Sequence, residues 1–337
     1  MSRRSRKSKR RLNSLFMMLI LTGMLLLSST YAWFSASREV ALEGINAKVV
    51  AAEGLQISLD GESWSSKITI NETNLKAATG NKYQWPTALN PVSTTGTTTS
   101  GLLDMFAGEV TSDGTTLNNA AKETELTTSG AGGKYIAFDL YFKNSSSQAS
   151  DTLQLNTGTN VAISENGKTG TGLENCIRSG IVLYSNKANL TDDGSTVRAI
   201  AAGTPSVCIW EPNYNKHIAE VVKNDSRVEG DSSSSVATYG LMSIGTGEVT
   251  GINKLEKNTF IDEQKTLRTD ASVGTVTDLT NLGEDKITLT GNSIMKARIY
   301  IWIEGQDVDC IDTASTGKEI NVTLGFTKPA VDKTAGN

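Results

Sequence analysis

Residues 55–70 read LQISLDGESWSSKITI and carry the clearest secondary-structure pattern of the chain. Apolar and polar side chains alternate with period two over Leu55-Gln56-Ile57-Ser58-Leu59, which is typical of a half-buried strand. Asp60-Gly61 is a turn dipeptide, and residues 64–70 return as a second strand-like run. The stretch therefore predicts a β-hairpin, and residues 45–49 begin the same alternation just before it.

The rest of the chain repeats this strand pattern. Strand-like runs bounded by turn residues occur at 135–142, 153–163, 180–184, 197–200, 207–210, 239–244, 286–290, 294–304 and 319–326. Helical periodicity is rare, and the best short candidates are residues 173–178 and 216–223. Because the many strands do not alternate with helices, the sequence predicts an all-β fold, an antiparallel β-sandwich with one or two short helices.

Two stretches interrupt the strand pattern. Residues 91–129 are rich in Thr, Ser and Gly, with a short helix predicted at 102–106, and residues 225–283 are polar or weakly patterned. Such composition favours long surface loops inserted between strands. We expect one sandwich domain over residues 46–327, followed by a tail at 328–337, and two smaller sandwiches are the alternative.

The charge distribution is uneven. The chain has 337 residues with 32 basic and 36 acidic side chains, and seven of the basic ones lie in residues 1–32, which contain no acidic side chain. The rest of the chain is therefore more acidic than the net charge of −4 indicates. Phosphate binding requires a basic surface, so this composition argues against a nucleic-acid partner.

The N-terminal residues have the organisation of an export signal. The basic residues precede an apolar run at 15–27 (LFMMLILTGMLLL), and small residues follow up to Ala32. This order predicts a signal peptide at residues 1–32, cleaved between Ala32 and Trp33. An uncleaved membrane anchor is the alternative, because extending the run through Phe34 gives the roughly 20 residues that span a bilayer.

Several segments resemble one family of exported proteins. The signal end TYAWFS (30–35) and the segments VVAAEGLQISL (49–59), YIAFDLYFKN (135–144), IWEPN (209–213) and IWIEGQDVDC (301–310) are similar to stretches of TasA/camelysin-like proteins. These are Gram-positive proteins with a SipW-type signal peptide. The resemblance implies a jelly-roll-like fold, processing by the SipW-type signal peptidase, and a place outside the cell, at its surface or in the biofilm matrix.

The segment at residues 33–45 has the character of a donor strand. It contains few turn residues and presents apolar side chains at Trp33, Phe34, Val40, Leu42 and Ile45. An extended segment of this kind can complete the sheet of another subunit by β-augmentation. We therefore expect a secreted structural subunit that self-associates into a fibre or surface appendage.

A binding domain is the second hypothesis. A membrane- or wall-associated adhesion domain would recognise a glycan or a host protein, with Trp85 beside Pro86 as a candidate sugar-stacking residue. Membrane contact is expected only through an uncleaved N-terminal segment.

The sequence indicates neither an enzyme nor a cofactor. His217 is the sole histidine, and the usual nucleophile, zinc and phosphate-loop motifs are missing. Glu211, Asn213 and His217 lie close together but are more typical of a solvated turn than of a metal site. Asp307, Asp309 and Asp312 are weak calcium candidates, because their spacing lacks the Gly and Glu of a helix-loop-helix calcium loop.

The cysteines leave two interpretations open. Export permits disulfides, and Cys176 and Cys208 are candidates for a bond that would leave Cys310 over. Three reduced, partly buried thiols are the other interpretation.

Overall fold

The computed structural model of the protein describes residues 17–18, 46–51, 54–110, 116–126, 128–155, 159–163, 172–210, 239–242, 253–257, 275–276, 288–305, 307, 309–310 and 320–328. Over these residues the regular structure is mostly strand, which confirms the all-β prediction. The predicted helix at 216–223 lies outside them, as does most of the predicted insertion at 225–283.

The strands are numbered in chain order. They are β1 (Asn46–Ala51), β2 (Leu55–Ser58), β3 (Lys67–Ile70), β4 (Tyr83–Trp85), β5 (Pro91–Thr99), β6 (Leu102–Val110), β7 (Thr116–Glu123), β8 (Gly130–Ala131), β9 (Ile136–Asn144), β10 (Ser150–Thr152), β11 (Gln154–Leu155), β12 (Asn160–Ile163), β13 (Ile177–Asn189), β14 (Ser206–Trp210), β15 (Tyr239–Met242), β16 (Asn253–Lys257), β17 (Thr275–Val276), β18 (Thr288–Thr290), β19 (Ser293–Glu304) and β20 (Ile320–Thr327).

Two short helices lie between strands, α1 (Glu72–Ala77) after β3 and α2 (Gly194–Arg198) after β13. Each begins at a side chain that accepts a hydrogen bond from a backbone N–H of the first turn: Asn71 from Asn74, and Asp193 from Thr196. The helices predicted from the sequence lie at other positions. Residues 173–178 form a turn that runs into β13, and residues 197–200 overlap the end of α2 rather than forming a strand.

The central sheet contains thirteen of the described strands, and β19 lies at its middle. β19 pairs antiparallel with β9 on one side and with β13 on the other. Every residue of β19 is buried, because alternate side chains point to opposite faces and both faces are covered. We call the face of Ile299 and Ile301 the inner face, and the face of Tyr300 and Trp302 the outer face.

The second sheet is formed by β1, β3, β11, β12 and β20, and it covers the inner face. Val49, Val322 and Leu324 of this sheet belong to the same apolar cluster as Ile299 and Ile301. The ring of Phe326 meets Phe142 of β9 edge-on, with 5.0 Å between centroids, and this contact joins the two sheets.

The outer face is covered by a meander of strands where the sequence analysis predicted a loop. Within residues 91–129, β5, β6 and β7 pair antiparallel in succession, and the predicted helix at 102–106 is part of β6. β5 also pairs with β19 at Pro91 and Val92, so the meander belongs to the central sheet. The loop prediction is wrong because Thr-rich segments pair well as strands once a partner supplies the hydrogen bonds.

The predicted hairpin at residues 55–70 is also wrong. β2 pairs with β9 of the central sheet, whereas β3 pairs with β1 of the second sheet. A single bridge between Ile57 and Ser65 is what remains of the expected pairing. The turn at Asp60-Gly61 is present, with Gly61 at φ +72°, but it passes the chain from one sheet to the other.

The sheets are mixed rather than wholly antiparallel. Parallel pairs join β1 to β20, β5 to β19, β4 to β8 and β14 to β17. These pairs bring together strands from distant parts of the chain, which local alternation cannot reveal. The jelly-roll connectivity implied by the family resemblance stays a prediction.

Candidate functional site

The first described strand of the second sheet, β1, lies directly after the predicted donor segment. β1 pairs in parallel with β20 from Asn46 opposite Asn321 to Ala51 opposite Phe326, and antiparallel with β3 on its other side. Val49 is fully buried in the apolar cluster between the sheets. β1 therefore belongs to the core of its own subunit, and a donor segment would have to lie before Asn46.

One edge of the second sheet is closed by side chains. Ser65 Oγ donates to the carbonyl of Lys67 and accepts from its N–H, at 2.9 and 3.2 Å. Asn74 Nδ2 donates to the carbonyl of Thr69 at 2.8 Å. Lys67 and Thr69 are alternate residues of β3, so these are the backbone groups that face away from β1. An incoming strand would have to displace both side chains.

The opposite edge of the second sheet is formed by β11 and β12, which both pair with β20. Between them, Thr159 Oγ1 accepts from the N–H of Gly325 at 2.9 Å and donates to its carbonyl at 3.0 Å, which continues the ladder. Asn160 and Ala162 of β12 have exposed side chains. Among the described strands, β12 pairs antiparallel with β20.

Many residues singled out in the sequence lie outside the described residues. These are Ala32 and Trp33 of the cleavage site, Phe34, Val40, Leu42 and Ile45 of the donor segment, and Glu211, Asn213, His217 and Asp312.

The candidate calcium residues Asp307 and Asp309 are engaged by the protein itself. Asp307 Oδ2 lies 2.6 Å from the guanidinium of Arg178, and Asp307 Oδ1 accepts from the N–H of Asp309 at 2.9 Å. Asp309 Oδ2 accepts from Asn175 Nδ2 at 2.9 Å. Within the described residues, no group of three or more His, Cys, Asp or Glu side chains could hold a metal ion. The side chains of Asp307 and Asp309 therefore hold the turn that precedes β13 in place.

The three cysteines are buried and reduced, so the bond considered between Cys176 and Cys208 is not formed. Register explains why. Cys208 lies opposite Ile181 in the β13–β14 pair, five residues from Cys176, or about 16 Å along a strand. A disulfide requires Cα atoms within about 7 Å. The thiol of Cys176 instead donates to the carbonyl of Gly172 at 3.3 Å.

A buried ionic cluster on the outer face escaped the sequence analysis. Arg298 pairs with Asp139 at 2.9 Å and also with Glu125, while Lys296 lies 2.8 Å from the second oxygen of Asp139. The hydroxyl of Tyr300 donates to Glu125 at 3.0 Å and accepts from the N–H of Leu103 at the same distance. The signal was visible, since Lys296, Arg298 and Asp139 interrupt otherwise apolar strands.

The electrostatics of this cluster are balanced. Burial alone would lower the pKa of Arg298, but the carboxylates of Asp139 and Glu125 outweigh it and raise the pKa above its ordinary value. Burial, helped by the charge of Asp139, raises the pKa of Tyr184 to about 12, so its phenol stays protonated. Two cations face two carboxylates, as buried charges require. The cluster anchors Glu125, which follows β7, and thereby the meander, to the central sheet.

Trp85 does not form an open platform. It is half-buried, and its side chain packs against the apolar cluster of the inner face. A sugar ring would need the face of the indole, and the core already occupies part of its surface.

Among the described residues, no helix is both long and apolar enough to cross a lipid bilayer. The chain matches no protein-family model, no curated protein and no solved structure.

Proposed function

We propose that the chain is a secreted structural subunit of an extracellular fibre or surface appendage, in which residues 33–45 of one copy pair with the outer edge of β12 in the next. The closed edge of β3 supports this proposal. Ser65 and Asn74 already engage the backbone of β3, whereas Asn160 and Ala162 present exposed side chains on β12 at the opposite edge. In the proposed fibre each copy gives one donor segment and offers one acceptor edge, as a linear assembly requires.

The donor segment has the length for this role. Thirteen extended residues span about 43 Å at roughly 3.3 Å per residue. The segment is thus longer than β20, the longest described strand of the second sheet. The segment is continuous with β1, which is held between β20 and β3. A subunit would therefore carry its donor on a firmly anchored strand.

The energy balance requires a preformed acceptor edge. Each main-chain hydrogen bond contributes a net ~0.5–1.5 kcal/mol. Burial of Val40, Leu42 and Ile45 would add ~1.5–3 kcal/mol per side chain. Ordering the segment costs about 1–2 kcal/mol per residue. Because the ordering cost opposes both gains, we expect assembly to be favourable only at an edge that needs no further ordering, and β12 already lies in a paired sheet.

The family resemblance of the signal and of the segments quoted above supports the same function. It adds the SipW-type signal peptidase as the processing partner and the surface or biofilm matrix of a Gram-positive cell as the location. The acidic body and the N-terminal signal pattern are compatible with export.

Deletion of the donor segment tests the proposal. The mature chain beginning at Trp33 and a chain beginning at Asn46 are compared by thermal unfolding and by negative-stain microscopy at increasing concentration. We expect both to unfold cooperatively, because the shorter chain keeps β1, and only the longer one to form fibres. Equal assembly by the two chains would refute the donor role of residues 33–45.

A pair of charge substitutions tests the acceptor edge. Ala162→Lys places a cation on exposed β12, and Thr69→Lys places the same cation on the exposed face of the closed edge strand β3. Lysine on an edge strand opposes strand addition because its charge would lose water. We expect Ala162→Lys to suppress fibres and Thr69→Lys to leave them intact. The reverse result would place the contact on β3, and a mature chain that stays monomeric while binding a glycan would favour the adhesion domain.

A further inference from the structure

Three side chains that carry complementary chemistry meet where β9, β10 and β20 lie together. Asn144 is the last residue of β9, Asp151 lies in β10, and Lys328 directly follows β20. Lys328 Nζ lies 3.1 Å from Asn144 Oδ1 and 3.6 Å from Asp151 Oδ2. Asn144 Nδ2 donates to the same Asp151 oxygen at 2.7 Å. The amide therefore lies between an amine and a carboxylate.

The three groups are shielded from water. Asn144 is 1% exposed, and the side chains of Asp151 and Lys328 are 6% and 15% exposed. The orientation of the amide is fixed by its partners, since an ammonium can only donate and a carboxylate can only accept. Asn144 Nδ2 also faces the carbonyl of Thr290 at 3.3 Å, which leaves Oδ1 as the atom that faces the lysine.

An ordinary salt bridge does not account for this geometry. In a salt bridge the ammonium and the carboxylate approach each other directly. Here the lysine nitrogen is closer to the amide oxygen, at 3.1 Å, than to the carboxylate, at 3.6 Å. A nucleophile, an acyl carbon with a nitrogen leaving group, and a proton acceptor within 4 Å of both nitrogens are the parts of an acyl transfer.

We propose that Lys328 and Asn144 join in an intramolecular isopeptide bond, with Asp151 moving the protons. Asp151 takes a proton from the lysine ammonium, and the free Nζ attacks Cγ of Asn144. The backbone N–H of Ser146, 3.2 Å from Oδ1, donates to the oxygen that becomes negative. Asp151 then returns this proton to Nδ2, the Cγ–Nδ2 bond breaks, and ammonia leaves. The second proton that Nζ must lose passes through Asp151 to this ammonia, which is released as an ammonium ion.

The reaction balances without an outside reagent. A lysine ammonium and an asparagine amide give one new amide and one ammonium ion, and no group is oxidised or reduced. Asp151 Oδ2 already contacts the leaving nitrogen at 2.7 Å and is 3.6 Å from the attacking one. Proximity of this kind replaces the need for an enzyme partner.

The bond would close a large covalent loop and connect both sheets. Asn144 and Lys328 are 184 residues apart in sequence, one ending a strand of the central sheet and the other a strand of the second sheet. A tensile force on β20 would then act on a covalent bond rather than on the hydrogen bonds of the ladder. This inference does not rest on the proposed function, although such a bond would suit a subunit under load.

Peptide mapping of the full chain purified from the native secretion route tests the proposal. We expect the peptides that contain Asn144 and Lys328 to be recovered as one linked species, lighter than their sum by one ammonia. Asp151→Asn and Lys328→Arg should both restore two separate peptides of full mass. Lys143→Arg, next to Asn144 in β9, is the matched control and should keep the link.

The outcomes are distinct. Separate peptides of full mass from the folded wild-type chain would overturn the proposal. Loss of ammonia that persists in Lys328→Arg would show that Asn144 cyclises on its own backbone, and would also overturn it. If the variants do not fold, fragmentation of the wild-type linked peptide decides the question. We also expect the melting temperature of Lys328→Arg to fall by about 10–15 °C, because the covalent loop is lost.

Discussion

Arg178 and Asp307 form an ion pair of 2.6 Å in which the two side chains are 2% and 0% exposed. Arg178 is the second residue of β13, and Asp307 follows the end of β19. The same region is held by the N–H of Glu304, which donates to the carbonyl of Cys176 at 2.8 Å. The ion pair thus holds the end of β19 against the start of β13, its neighbour in the central sheet.

Removing one member of this pair should strongly destabilise the fold. Arg178→Ala or Asp307→Ala leaves a buried charge without its partner, which costs about 3–5 kcal/mol. The free energy of unfolding from urea titration measures this loss. The double variant Arg178→Met with Asp307→Leu removes both charges and should recover much of it. A single variant that loses less than about 1 kcal/mol would show that water reaches the pair.

Asp60 should make folding stability depend on pH. Partial burial raises the pKa of its carboxyl, but hydrogen bonds from the N–H groups of Ser63 and Glu62 and from the Ser58 hydroxyl outweigh it, so the pKa lies below its ordinary value of 3.8. A folded pKa below the unfolded one stabilises the protein above the unfolded pKa. This contribution is lost as pH falls through the folded pKa.

The comparison of Asp60→Asn with the unchanged protein measures that contribution. The amide keeps one acceptor oxygen but has no charge to titrate, so the variant should be less stable at neutral pH by about 0.5–1.5 kcal/mol. The gap should shrink as the solution is acidified. A gap that stays constant down to the acid limit of folding would show that charge at Asp60 has no role.

Local sequence patterns predicted strands well where apolar and aromatic side chains are dense, as in residues 135–142 and 294–304. They failed at β5, whose sequence PVSTTGTTT has one aliphatic side chain that could mark a core. That strand depends on β6 and β19 for its hydrogen bonds. Pairing between distant segments is a tertiary effect that a window of neighbouring residues does not contain.

The polar clusters were hidden for the same reason. Arg298 meets Asp139 across 159 residues of sequence and Glu125 across 173 residues. Lys328 meets Asn144 across 184 residues. Each residue taken singly is an ordinary polar side chain, and it acquires its chemistry only when the sheet register brings the partners together. The charged interruptions of β9 and β19 could have flagged a buried cluster, but not its composition.

Two tyrosines of the outer face should respond differently to loss of the hydroxyl. Tyr300 donates to Glu125 and accepts from the N–H of Leu103, so Tyr300→Phe removes the hydroxyl from the Leu103 N–H and from one oxygen of Glu125 and should cost about 1–3 kcal/mol. Tyr141 is the matched control, because no described group hydrogen-bonds its buried hydroxyl. Tyr141→Phe should therefore be neutral or stabilising. Urea titration of both variants checks this, and equal losses would contradict the assignment of partners.

Cys176 should resist alkylation in the folded protein. Burial raises the pKa of this thiol well above its ordinary value, and its hydrogen bond with Cys310 and the nearby charges of Asp307 and Asp309 raise it further. The thiolate is the reactive form, so a raised pKa and full burial both slow the reaction. Mass spectrometry after iodoacetamide treatment at mildly alkaline pH should find no adduct on the native chain and adducts on all three cysteines after denaturation.

Thr69→Cys, at an exposed position of β3, is the control and should react quickly under native conditions. If Cys176 reacted as fast as that exposed thiol, the turn before β13 would have to open readily, which the Arg178–Asp307 ion pair should prevent.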